Sequence, residues 1–213
     1  MKIPEKIIRT YKHKGAVIEL VERPETIYAG KSVFTDNLAD GWGERLAGSH
    51  TDDFGSVISK AQPEYDVHVS INFWSFSQTM HPGVVFGRQV ASEEQPDGVD
   101  VYKVPASLYL RVYTDRAAAR LIGKDACEPW ELFAYFLHRV MPKYGFVKPA
   151  GADHQIEIYE SVGHGDGWAY VAAERKKRRP SFRKKNQHPS PPPAYTGTEG
   201  PSRSSVHTKC SQT

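Results

Sequence analysis

Cysteine is nearly absent from this chain of 213 residues. Cys127 and Cys210 are the only two, too few for a disulfide framework and in keeping with a reducing compartment. No apolar run approaches the ~18–20 residues of a membrane helix. The opening Met1-Lys-Ile-Pro-Glu-Lys-Ile-Ile holds no apolar signal core, so a cytoplasmic protein is expected. There is no Gly-x-Gly-x-x-Gly, no phosphate loop and no nucleophile elbow. Cys127 has no cysteine or histidine at zinc-ligand spacing, and His68 and His164 belong to no ligand motif. Neither a metal nor a cofactor is expected.

Charge is present but unevenly placed. Nine of the 28 Lys/Arg and one of the 25 Asp/Glu lie from Lys176 onward, leaving 19 basic against 24 acidic residues in 1–175. An acidic body thus carries a basic tail. The tail runs Lys176-Lys-Arg-Arg-Pro-Ser-Phe-Arg-Lys-Lys185, then Pro189-Ser-Pro-Pro-Pro193. Such a segment buries too little apolar surface to offset chain entropy. Residues 1–175 are therefore expected to fold and 176–213 to stay disordered. A solvated extension is the plain expectation for the tail; a weak nucleic-acid contact is the sharper one.

The body contains a repeat. Pro24, Ile27 and Tyr28 match Pro105, Leu108 and Tyr109, and Val33-Phe-Thr-Asp36 matches Val112-Tyr-Thr-Asp115. After the first copy, Leu46, His50, Phe54, Val57, Ile58 and Ala61 fall at helical spacings. Alternation then predicts a strand over Tyr65–Trp74, and Val84–Val90 predicts another. After the second copy, Pro129 opens a helix whose apolar stripe is Trp130, Phe133, Leu137, Val140 and Met141, ended by Pro142 and Gly145. Gln155–Tyr159 and Trp168–Ala173 follow as strands. The expected fold class is α+β, built of two βαββ units.

Five pieces in this order make the chain resemble the GyrI-like small-molecule-binding family: Trp42, Phe86-Gly-Arg-Gln-Val90, Val104-Pro-Ala-Ser-Leu-Tyr109, Trp130 and Ile156-Glu-Ile-Tyr159. The family includes effector-binding domains of multidrug-sensing transcription regulators, gyrase-inhibitory proteins and stand-alone drug-binding modules. The resemblance covers about residues 10–174. It implies that the two βαββ repeats are related by a pseudo-twofold, with a ligand cleft between them. It also implies that Glu157 meets the positive charge of an aromatic ligand. The chain departs from the family pattern at Ser107, Val84 and Gln89.

In the strand itself, Ile156 and Ile158 share one face while Glu157 and Tyr159 share the other. A partly desolvated carboxylate there is suited to a cationic ligand, with Tyr159, Tyr109, Trp74, Tyr28 and Trp130 as candidate aromatic walls. The plain alternative pairs Glu157 with an internal base such as Arg111, or leaves it facing water. A stand-alone module binding aromatic or cationic compounds is the first expectation for function. A hydrolase using Glu157 as general base and Tyr159 as hydrogen-bond donor is the second. A protein-interaction role of the gyrase-inhibitory type is the third. The stretch before residue 16 is too short for a helix-turn-helix, so a complete one-chain regulator is not expected.

Overall fold

The computed structural model describes residues 5–34, 52–64, 67–72, 83–152, 154–159 and 166–177. These belong to a compact unit, Met1–Lys177. A second unit, Arg178–Thr213, lies outside the described residues, and so do Trp74, His164, Leu46, His50 and the Thr35-Asp36 pair.

The chain opens with a hairpin. Strand β1 (Lys6–His13) turns through Lys14 and Gly15 into β2 (Ala16–Arg23). Both turn residues have positive φ, at 50° and 94°, the geometry whose twist suits a two-residue hairpin loop. Then come β3 (Thr26–Phe34), α1 (Asp52–Lys60), β4 (His68–Asn72), β5 (Gly83–Val90), β6 (Asp100–Val104) and β7 (Ser107–Tyr113). A short α2 (Arg116–Leu121) follows. The last elements are a helical run over 129–144 (α3), β8 (Phe146–Val147), β9 (Gln155–Tyr159), β10 (Gly167–Ala172) and β11 (Glu174–Arg175).

Nine strands form one antiparallel sheet in the order β1-β2-β7-β10-β9-β4-β5-β3-β6, and β11 pairs with β8. The protein is thus an α+β protein, mostly antiparallel sheet with few helices among the described residues. The hairpin β1–β2, the strands β6, β8 and β11, and helix α2 add to the elements expected from the sequence.

Two short connectors set the curvature of the sheet. Strands β2 and β3 stand six places apart in the sheet order, about 29 Å if the sheet were flat. Only Pro24 and Glu25 join them, and three peptide steps reach about 11 Å. Pro105 and Ala106 impose the same demand on β6 and β7. The sheet must therefore curl until its two halves approach. A contact agrees: Arg23 at the end of β2 donates from Nη2 to the Tyr28 hydroxyl on β3 at 2.8 Å.

The inner face of the curl holds Val21, Tyr28, Val69, Ile71, Tyr109, Ile156, Ile158 and Tyr170 in one buried cluster. The outer face carries the helices. At one end, Ile18, Leu110, Val112, Ala169 and Val171 pack under Leu132, Phe133, Phe136, Val140 and Met141 of α3. At the other, Ala29 and Val90 pack with Ala61, just after α1.

The α3 stripe differs from the expected one. Leu132 and Phe136 are buried, Leu137 is half-buried and Trp130 is 42% exposed. The run is not one regular helix. A 3-10 turn (Pro129–Leu132) and a wide π turn (Phe136–Val140) flank the α-helical turn Phe133–Tyr135, and Met141–Tyr144 completes it. Pro142 can supply no N–H to the carbonyl of His138, and the wide turn lies just before it. Tight and wide turns rotate the side chains away from a uniform 3.6-residue period.

Candidate functional site

Strands β9 and β4 meet at the middle of the sheet, and their register places Glu157 opposite Ser70. Following the pairings outward gives one transverse row: Ile18, Val112, Ala169, Glu157, Ser70, Phe86 and Lys31. Directly paired residues share a face, so Glu157 lies on the outer, helix-bearing face. It sits between the cluster under α3 and the cluster beside α1. Tyr159, Gln155, His68 and Arg88 share that face by alternation.

Glu157 is 3% exposed. The start of α3 comes to it: the backbone N–H of Trp130 donates to Oε2 at 3.2 Å. Such first-turn N–H groups have no partner within their own helix, and their dipole favours a carboxylate. The Tyr159 hydroxyl donates to the same oxygen. Burial, and then the neighbouring Glu157, push the Tyr159 hydroxyl far above the ordinary tyrosine range, so it is a donor here and not a phenolate.

Local sequence explains how α3 arrives. Glu128 caps the 3-10 turn in a reciprocal box with Glu131, whose carboxylate accepts the Glu128 N–H at 3.0 Å. Pro129 fits the first turn because its missing N–H would be unpaired anyway. Glycine at 167 leaves it room: a Cβ there would lie 2.6 Å from the Ile158 carbonyl and 3.2 Å from the Pro129 ring. The Trp130 indole N–H donates to Glu128 Oε2 at 2.5 Å, which holds the exposed ring against that carboxylate.

The five described candidate residues do not all converge. Glu157, Tyr159 and Trp130 meet. Tyr28 and Tyr109 lie on the inner face, both buried. Tyr28 accepts from Arg23, and the Tyr109 hydroxyl lies 3.0 Å from His154 Nε2. Trp74 lies outside the described residues. Arg111, the internal base weighed as a partner for Glu157, is also on the inner face. It donates to Glu19 Oε2 from Nε at 2.8 Å and to Glu5 from Nη1. It stacks on Trp168 at 4.1 Å.

Sequence reasoning missed Glu128 and Arg88. Glu128 was legible as a capping-box acid before Pro129. Arg88 was legible as the alternation partner of Phe86. Its Nη2 lies 3.5 Å from His68 Nε2, and its buried Nε has no hydrogen-bond acceptor among the described residues. Among the described residues, no group of three or more His, Cys, Asp or Glu is placed to hold a metal ion. No described helix is long and apolar enough to cross a membrane.

Fold and site together define an α+β protein with a buried carboxylate on the helix-bearing face of a curled sheet. No protein-family model and no curated protein matches the chain. Two solved structures are similar over 74% of it. One is the cryo-EM structure of an EcmrR–DNA complex, at 11% identity and a TM-score of 0.42; the chain spans 57% of that protein's length. The other is the integron cassette protein VCH_CASS2 from the mobile metagenome of Vibrio cholerae, at 14% identity and a TM-score of 0.39, with 95% of its length covered.

Proposed function

We propose that this chain is a GyrI-like small-molecule-binding module that takes aromatic cations at Glu157. The observation that carries this reading is the buried Glu157 carboxylate, held by the Tyr159 hydroxyl and by the backbone N–H of Trp130, the residue whose exposed ring bonds Glu128. A cation seated there gains charge compensation from the acids and a π face from the indole, the latter worth about 0.5–2 kcal/mol. In this reading Tyr159 and Trp130 flank the cation; Tyr28 and Tyr109 lie on the opposite face of the sheet.

The strand order supports the two-copy architecture that goes with the proposal. Outward from the β9–β4 seam, β10, β7 and β2 on one side answer β5, β3 and β6 on the other. Matching Tyr28 to Tyr109 without a gap sets Lys31 against Val112, two residues before the Val33 that the later part of the repeat matches to Val112. Lys31 leads through Phe86 to Ser70, and Val112 leads through Ala169 to Glu157. Ser70 and Glu157 are direct partners at the seam, where a twofold axis relating the copies would pass.

The test is titration with a panel of planar aromatic cations and isosteric neutral analogues, read by tryptophan fluorescence and by calorimetry. Cations are expected to bind tighter than the analogues. Glu157→Gln should remove most of that preference and leave the folded spectrum unchanged. Equal affinities for charged and neutral compounds in the unaltered chain would sink the proposal. Hydrolysis, the second reading, is favoured by the Tyr159–Glu157 contact, which places a hydroxyl donor against a carboxylate. Product formation from an activated ester in the same samples separates hydrolysis from binding.

A further inference from the structure

The helix-bearing face carries basic groups close to Glu157. Tyr159 pairs directly with His68. Arg88 lies two residues after Phe86, the partner of Ser70, and its Nη2 is 3.5 Å from His68 Nε2. Tyr159, His68 and Arg88 thus form one row across β9, β4 and β5. All three are half-buried, so the row is open to solvent. Arg88 stands two strands and two residues away from Glu157, about 12 Å between Cα atoms on a pleated sheet. Lys31, the partner of Phe86 on β3, is its exposed diagonal neighbour.

A guanidinium that has lost part of its water is stabilised by an acid that replaces it. Arg111, on the opposite face, has Glu5 and Glu19 for this. Arg88 and Lys31 make no ion pair with any described residue. The Nε of Arg88 is closed to solvent and Nη2 meets His68, which leaves Nη1 as the nitrogen open to an acceptor.

One face therefore bears a carboxylate at Glu157 and cationic groups at Arg88 and Lys31. Between them lie Ser70, which is small, and Phe86, which is half-buried and offers an aromatic ring. A simple aromatic cation engages only the acidic end of this arrangement. A molecule with an acid on the far side of its ring engages both ends. A monoanion suits the single open nitrogen of Arg88; a dianion would bring surplus negative charge toward Glu157. We propose that the ligand of the Glu157 site is an aromatic zwitterion, with its cation at Glu157 and its carboxylate received by Arg88, and with Lys31 adding attraction. The proposal rests on the reading of Glu157 as a cation site and narrows it to one ligand class.

The test titrates the full chain by calorimetry with three probes that share one ring and one cation. They are benzyltrimethylammonium, its para-carboxylate and the methyl ester of that carboxylate. The carboxylate is expected to bind at least about tenfold tighter than the ester, the gain of one charge-assisted hydrogen bond. Arg88→Gln should bring the carboxylate down to the affinity of the ester. Lys31→Gln, at an exposed residue where the fold is not at risk, should cost the carboxylate about threefold, as a screened surface charge does. If the carboxylate binds the unaltered chain no tighter than the ester, the acid subsite is overturned, while binding of the ester and the simple cation keeps the Glu157 reading. If none of the three binds, both fall. An advantage of the carboxylate that survives both substitutions also overturns the assignment to Arg88.

Discussion

Thr114 and Asp115 show how much one pair of side chains can do. Asp115 sits in extended conformation (φ −75°, ψ 176°) before α2, and its Oδ1 accepts the Ala118 N–H at 2.8 Å. Thr114 Oγ1 accepts the Gly167 N–H at 2.8 Å and so ties the end of β7 to the start of β10. In the second copy the Thr-Asp element is therefore a strand tie followed by a helix cap. Asp115→Ala is expected to cost about 1 kcal/mol and to lower Tm by about 3 °C, read by thermal circular dichroism. At Trp130 the opposite balance holds. The ring is 42% exposed and outside the core clusters, so Trp130→Ala should leave Tm nearly unchanged while weakening aromatic cations by about 0.5–2 kcal/mol. Cys127 is buried, and burial followed by the nearby Glu131 pushes its thiol up to about 11. In a Cys210→Ser background, alkylation at neutral pH should be slow in the folded state and fast in urea. Rapid labelling without denaturant would show that the site opens.

At the scale of elements, β3 and β5 approach closely. Gly30 faces Gly87 in register. A Cβ on Gly30 would fall 1.9 Å from the Phe86 carbonyl oxygen, and one on Gly87 would fall 2.2 Å from that of Ala29. Both obstacles are backbone and have no rotamer to escape into. Gly87→Ala should destabilise by more than about 3 kcal/mol, seen as a large fall in the urea midpoint; a shift within error would show that these strands are not packed this closely. Much at this scale was legible in the sequence. Alternation marked Gln155–Tyr159 and the core of Tyr65–Trp74, because polar and apolar residues take opposite faces of a pleated strand. The α3 stripe was legible only in part. Pro129 and Pro142 each alter the turn geometry, and the apolar residues that reach the core are set by the resulting phase.

At the scale of the whole molecule, the first hairpin is tied to α3 through a histidine. His13 is 3% exposed. Its Nε2 lies 3.2 Å from the Tyr135 hydroxyl and its Nδ1 3.3 Å from that of Tyr144. Tyr144 donates its own proton to the Lys12 carbonyl, so it must accept from Nδ1–H, which leaves Nε2 to accept from Tyr135. That arrangement fits the neutral ring. Burial, then Lys143 and Lys14, hold the His13 pKa below its ordinary 6.5. A depressed histidine pKa means that the unfolded chain binds the proton first as pH falls. Its contribution is therefore full above about 6.5 and lost as pH drops through the folded-state value. Urea midpoints should fall over that window in the unaltered chain and fall less in His13→Gln; parallel curves would remove His13 as the cause.

By itself the sequence determined the α+β class, the strands around Glu157 and the sharing of one face by Glu157 and Tyr159. These follow from periodicity and turn chemistry, which act over a few residues. It also marked Pro24 and Pro105, Tyr28 and Tyr109 as equivalent, without saying what they do. Tertiary structure decided that. Each proline connector crosses from one half of the sheet to the other, and the resulting curl buries Tyr28 and Tyr109 on the face away from Glu157. The assembly of the Glu157 site was likewise settled by pairing between strands more than eighty residues apart and by the approach of α3. No local pattern encodes such a register, because it depends on which faces the whole sheet must bury.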